Sequence, residues 1–163
     1  MKEKIIDMLK ERGVTLEEIA EIVLNMQAPY NEGLSFDECL WSVQMVFEKR
    51  EVQHVILTGL TLDKLTEEGK IQEPLQSIIA SDEPLYGVDE TLAMGIATIY
   101  GTIGITSFGY LDKAKPGIME RLDNKESKKV HTFMDDIVAG VAAAAAARIA
   151  HTREVGEIED DIS

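Results

Sequence analysis

Three short stretches of this chain gather acids: SDEPLYGVDE from Ser81 to Glu90, LDKAKPGIMERLD from Leu111 to Asp123, and MDD from Met134 to Asp136. The segments between them are largely apolar. Asp89 and Glu90 directly precede one apolar stretch, and Asp135 and Asp136 directly precede another that contains six consecutive alanines, Ala142 to Ala147. Both pairs are therefore expected at the edge of the core, where two buried helices begin. Carboxylates converging there repel one another unless a cation holds them, because buried charge is costly until it is paired or bound to metal. An oxygen-only donor set suits magnesium, which takes one or two carboxylates, keeps several waters and binds substrate phosphate. Asp112 and Lys115 are three residues apart and share a helix face. Such a pair is commonly a plain surface ion pair, but beside a metal Lys115 supplies a second positive charge for phosphate.

The elements that must position these residues read as helices. Thr15 with Glu18 and Ser35 with Glu38 form two capping boxes, each hydroxyl taking a free backbone N–H at a helix start. Ile19, Ile22, Val23 and Met26 make one apolar face; Leu40, Val43, Val46 and Phe47 make another, with Trp41 assigned to the core beside them. Val52 to Leu65 continues as an apolar helix that Gly69 ends, and Pro74 opens the next, Leu75 to Ala80. No strand alternation appears. Alanine is the strongest helix former, and a helix with almost no side-chain bulk can be approached closely from every side. The expected fold is all-α, a multihelical bundle around the Ala-rich helix from about Thr132 to His151.

Composition narrows the partners. The chain has 163 residues, 30 acids and 16 bases, a net charge of −14. A single helical domain is expected, with N-terminal helices over 1–75, the acidic-motif core over 81–150 and a frayed acidic tail over 155–163. So acidic a surface repels nucleic acid and anionic lipid. Cys39 is the only cysteine, which excludes an internal disulfide and a cysteine metal cage and points to a reducing cytoplasm. It lies in an apolar helix without a basic partner and is expected to be inert. His54, His131 and His151 are too scattered to suggest a ligand set. Thr91 to Leu111 carries no charge, but its glycines and threonines suit close packing inside a protein better than a membrane span. Peripheral membrane contact at most is expected, and a homo-oligomer is open. Lys125, Lys128 and Lys129 read as a solvated loop, with guidance of an anionic headgroup as the alternative.

The motifs VDE at Val88 to Glu90, FGYLDKAKPGIMERLD at Phe108 to Asp123 and MDDIVAG at Met134 to Gly140 resemble, in order and spacing, those of the phosphatidylglycerophosphatase A family. The resemblance runs from about Ser81 to Ala150. It implies a Mg²⁺-dependent phosphatase that removes the terminal phosphate from phosphatidylglycerophosphate or a related ester, with a membrane lipid as the substrate of the family. It also implies a site made of Asp82, Asp89, Glu90, Asp112, Lys115, Asp123, Asp135 and Asp136. Asp82, Asp89, Glu90, Asp112, Asp135 and Asp136 would face the metal, and Asp112, Lys115, Asp123 and Asp136 the reacting phosphate. Gly109 stands where the family usually carries an arginine after phenylalanine, and polar-capped helices replace the Gly/Pro-rich N-terminal segment of its membrane-bound members. A soluble branch is the expectation. The alternatives are a catalytically silent helical protein that binds metal or phosphate, and a structural helical oligomer whose acids are surface charge.

Overall fold

The computed structural model describes residues 1–123 and 128–160, with side chains described as far as Arg153. Among these residues every regular element is helical: α1 (Lys2–Glu11), α2 (Leu16–Gln27), α3 (Phe36–Glu48), α4 (Arg50–Glu67), α5 (Leu75–Ala80), α6 (Val88–Ala97), α7 (Ile103–Ala114), α8 (Ile118–Leu122) and α9 (Met134–Asp160), with a 3₁₀ turn at Thr98–Tyr100. The all-α expectation holds. Both capping boxes form. Thr15 Oγ1 accepts the Glu18 N–H at 3.2 Å while Glu18 accepts the Thr15 N–H at 3.0 Å. Ser35 and Glu38 repeat the exchange at 3.3 and 2.8 Å.

Helix α9 is the centre, packed against α2, α3, α4, α6, α7 and α8. Every residue from Thr132 to Ala147 is buried. The absence of side-chain bulk explains how so many helices reach it. A Cβ added to Gly140 would lie 2.7 Å from the carbonyl oxygen of Ala93 on α6, and one added to Gly59 on α4 would collide with Ile137 Cδ1. On the α3 side, Ser42 Oγ donates to the Ala145 carbonyl at 2.9 Å, which satisfies a polar group buried among alanines.

Three features differ from the sequence expectation. The uncharged stretch Thr91 to Leu111 is two helices rather than one, because the chain turns after Tyr100 at Gly101, whose φ of +100° favours glycine. Among the described residues no helix is long and apolar enough to cross a membrane. Trp41 is not core: it is 51% exposed, and the Arg148 guanidinium stacks over its ring at 4.1 Å from the centroid. A large amphipathic ring at the edge of a buried stripe gains this cation–π contact without full burial. Helix α9 continues past His151 to Asp160, so part of the expected frayed tail is helical.

Candidate functional site

The eight acid and lysine positions singled out in the sequence line one pocket of about 270 Å³. Asp82 comes from the α5–α6 loop, Asp89 and Glu90 from the first turn of α6, and Asp112 from the last turn of α7. Lys115 caps α7, Asp123 caps α8, and Asp135 and Asp136 lie in the first turn of α9. Lys115 adopts a left-handed backbone conformation (φ 42°, ψ 55°), as does Asp82 in φ (48°). For residues other than glycine this conformation is uncommon. The Lys115 ammonium stands among three carboxylates from three elements: Asp135 Oδ2 at 2.6 Å, Asp112 Oδ1 at 3.8 Å and Asp123 Oδ1 at 3.8 Å. In each acidic pair the first carboxylate accepts the N–H of the second residue at 2.9 Å, Asp89 from Glu90 and Asp135 from Asp136. Asp135 thus spends one oxygen on the helix start and the other on Lys115.

The acids are crowded, with Asp89, Asp135 and Asp136 buried, Asp112 half-buried and Asp82, Glu90 and Asp123 exposed. Burial raises the Asp89 carboxyl, with Asp82 and Asp112 adding to the shift. Glu90 is raised by burial and then by Asp112 and Asp89. Asp135 is pushed up to about 6 by burial despite the opposing pull of Lys115. Asp136, 4% exposed, is raised further, by burial first and then by Asp135, Asp89 and Asp112. Burial works against the charge on Lys115, yet Asp135, Asp123 and Asp136 together hold its pKa above the ordinary lysine value. A cation entering this pocket would relieve repulsion among these carboxylates beyond what the Lys115 ammonium offsets.

Among the described residues no three Asp, Glu, His or Cys side chains already stand closed up as a ligand set. The chemistry of the donors nevertheless fits magnesium: oxygen alone, supplied by several elements around one pocket, with two pairs placed at helix starts that favour negative charge. Histidine takes no obvious part. His54 and His151 are exposed, while His131 lines a neighbouring cavity of about 120 Å³ with Asp82, Asp123 and Asp135. Burial, then the Arg12 charge, lowers His131 to about 4, and its Nδ1 is buried with no hydrogen-bond partner. Cys39 is buried, and burial raises its thiol, as an inert cysteine requires. Lys125 lies outside the described residues; Lys128 and Lys129 are exposed, and Lys129 donates to the Glu11 carbonyl at 3.3 Å.

Two residues near the site escaped the sequence reading. Tyr86 lines the pocket and meets Phe133 edge-on, with ring centroids 6.0 Å apart. Asp63 of α4 is fully buried and accepts the backbone N–H groups of Phe133 at 3.1 Å and Met134 at 3.0 Å. Burial pushes its carboxyl up to about 8, against the pull of the Phe133 N–H, the Arg12 charge and the Met134 N–H. A signal for Asp63 was present. It continues the buried stripe Val52, Ile56, Gly59, Leu60 at helical spacing, and an acid on such a stripe asks for a partner.

Comparison with known proteins bears on the family and the fold. The chain is 52% identical to YutG of Bacillus subtilis over 151 residues, 93% of this chain and 91% of that protein. The fold matches the low temperature requirement C protein of Listeria monocytogenes with a TM-score of 0.91 at 50% identity, covering 94% of this chain and 96% of that one. It matches a protein of unknown function from Bacillus stearothermophilus equally well, with a TM-score of 0.91 at 53% identity over 93% and 94% of the two chains. The profile of phosphatidylglycerophosphatase A covers residues 5–151, taking in the N-terminal helices as well as all three acidic segments, and the chain belongs to the phosphatidylglycerophosphatase A family.

Proposed function

We propose that the protein is a Mg²⁺-dependent phosphatase that hydrolyses a phosphate monoester, phosphatidylglycerophosphate or a related compound. The observation that carries this reading is the Lys115 ammonium set among Asp112, Asp123 and Asp135 in a pocket that Asp82, Asp89, Glu90 and Asp136 also line. Asp82, Asp89, Glu90, Asp112, Asp135 and Asp136 are the residues to hold the metal. Bound there, Mg²⁺ supplies charge stabilisation for the phosphate oxygens and a more acidic water. Lys115 stabilises negative charge on the transferring phosphoryl group, a contribution made without reorganisation because Asp135 already fixes its ammonium. One of the pocket's carboxylates takes the proton of the attacking water, and the buried setting of Asp135 and Asp136 keeps bulk water from screening the charges. A lipid substrate would be met at a membrane surface, since no described helix crosses one.

The test is turnover. Purified protein is offered phosphatidylglycerophosphate in mixed micelles beside soluble phosphate monoesters, with Mg²⁺ present or chelated. Mg²⁺-dependent phosphate release from the lipid supports the full reading, and release mainly from soluble esters keeps the chemistry while rejecting the lipid. Absence of release from all of them, with Mg²⁺ still bound, favours a silent binding protein. The specific observation behind that second reading is Gly109, exposed on α7 where the family's arginine is expected.

A further inference from the structure

We propose that Asp63 is a positioning residue for Asp135 and Asp136: from α4 it holds the start of α9 through both carboxyl oxygens and so sets where the two acids stand in the pocket. The inference rests on the reading of Asp135 and Asp136 as metal-holding residues.

The first N–H groups of a helix have no partner within it and are ordinarily capped by a Ser, Thr, Asp or Asn just before the first turn. Helix α9 lacks this local solution. The residue before Met134 is Phe133, which has no acceptor, and the Thr132 hydroxyl donates away from the helix to the Ile79 carbonyl of α5 at 2.7 Å. The missing acceptors arrive from 70 residues earlier in the chain, as Asp63 Oδ1 on Phe133 N and Oδ2 on Met134 N. Because one oxygen serves each N–H, the carboxyl plane defines both the height and the rotation of the helix start. A single bond would leave the rotation free.

The surrounding packing makes that definition matter. Gly59, one turn earlier on α4, leaves room for Phe133, whose Cβ would sit 3.1 Å from a Cβ built on the glycine. Asp135 and Asp136 follow Met134 directly, and the Ile137 N–H closes the first turn onto the Phe133 carbonyl at 3.0 Å. A rotation of this turn would carry both carboxylates with it, and Asp135 Oδ2 would lose its 2.6 Å contact with Lys115. An apolar residue would fill the Asp63 position on the α4 stripe at lower cost than a fully buried acid.

The experiment uses the full chain and compares Asp63→Asn with Val43→Ala, a cavity-forming change in α3 remote from the start of α9. Asparagine keeps the shape but offers one acceptor for two N–H groups. Three quantities are read: the melting temperature, the side-chain carboxyl ¹³C resonances of Asp135 and Asp136 without metal, and Mg²⁺ affinity by calorimetry. Asp63→Asn is expected to move both resonances and to weaken Mg²⁺ binding about 10–100-fold, the usual loss when a group that orients metal ligands is removed. Val43→Ala is expected to lower the melting temperature and leave both site readouts at wild-type values. Wild-type resonances in Asp63→Asn overturn the proposal, as does an equal displacement of them in Val43→Ala. Should Asp63→Asn not fold, Asp63→Glu keeps two acceptors on a longer arm and is read by the same resonances, with the same outcomes. A wild-type protein that binds no Mg²⁺ defeats the phosphatase reading instead, while the resonances still decide the role of Asp63.

Discussion

Lys115 Nζ lies 2.6 Å from Asp135 Oδ2, joining the end of α7 to the start of α9 across 20 residues of sequence. Lys115 is partly solvent-accessible and Asp135 nearly enclosed, with side-chain exposures of 25% and 12%. The ammonium is therefore reachable by a ligand entering the pocket, while its partner is fixed within the protein. Removing either charge affects the other, because a lone carboxylate in the first turn of α9 has no second cation among its described ion-pair partners.

Site variants should separate chemistry from folding. Lys115→Ala is expected to reduce phosphate release by about 10²–10³-fold, the scale of losing one preorganised charge-stabilising group. Asp136→Asn should abolish turnover and weaken Mg²⁺ binding. Without metal it should melt no lower than the wild type, since the amide replaces an acid whose charged form burial, and then Asp135, Asp89 and Asp112, already disfavour. Calorimetric titration and thermal melts with and without Mg²⁺ check both, and a strongly destabilised Asp136→Asn would contradict the electrostatic account.

Gly109 offers a gain-of-function test. A Cβ built there meets nothing within 4 Å, so a longer side chain has open space one helical turn before Asp112. Gly109→Arg should fold at least as stably as the wild type, because glycine is unfavourable in a helix interior by about 0.5–1 kcal/mol relative to alanine. If the missing arginine limits phosphate binding, KM for a soluble monoester should fall in this variant. An unchanged KM would show that the pocket does not use the position.

Packing around α9 leaves no room for added atoms. Gly140→Ala forces a methyl group to within 2.7 Å of a backbone carbonyl of α6 that cannot swing away. Ala143→Leu and Ala144→Leu place larger groups at fully buried positions. Each should cost about 1–3 kcal/mol, sometimes more, as overpacking does. Denaturant melts check the values, and unchanged midpoints for all three would show that close packing does not account for the alanine run.

His131 predicts a pH effect of definite sign. Its folded pKa is lowered to about 4 from 6.5, so between these values the unfolded chain holds a proton that the folded protein does not. Its contribution to stability is complete above about pH 6.5 and is lost as pH falls through that window towards 4. The raised acids Asp63 and Asp135 act in the opposite direction, so the comparison must be with a variant. His131→Gln should lose less stability than the wild type between pH 7 and 4, measured as the difference in melting temperature at each pH.

By itself the sequence determined the helical class, the capping boxes at Thr15 and Ser35, and the central place of the alanine-rich helix, because propensity, capping and the lack of bulk are local properties of consecutive residues. It also marked out the eight polar positions, whose ordered spacing carried the family resemblance. Only the tertiary structure decided which of these meet: Lys115 reaches Asp135 and Asp123 because α7, α8 and α9 end and begin at one pocket, a relation that no spacing along the chain encodes. The same limit explains Trp41, whose apolar neighbours indicated core although the ring stacks under Arg148 at the surface. It explains the break at Gly101 as well, since a charge-free run shows no polarity change where the backbone turns. Asp63 is the clearest case. Read locally it is one acid in an apolar helix, and its partners, the N–H groups of Phe133 and Met134, are supplied only when α4 packs against the start of α9.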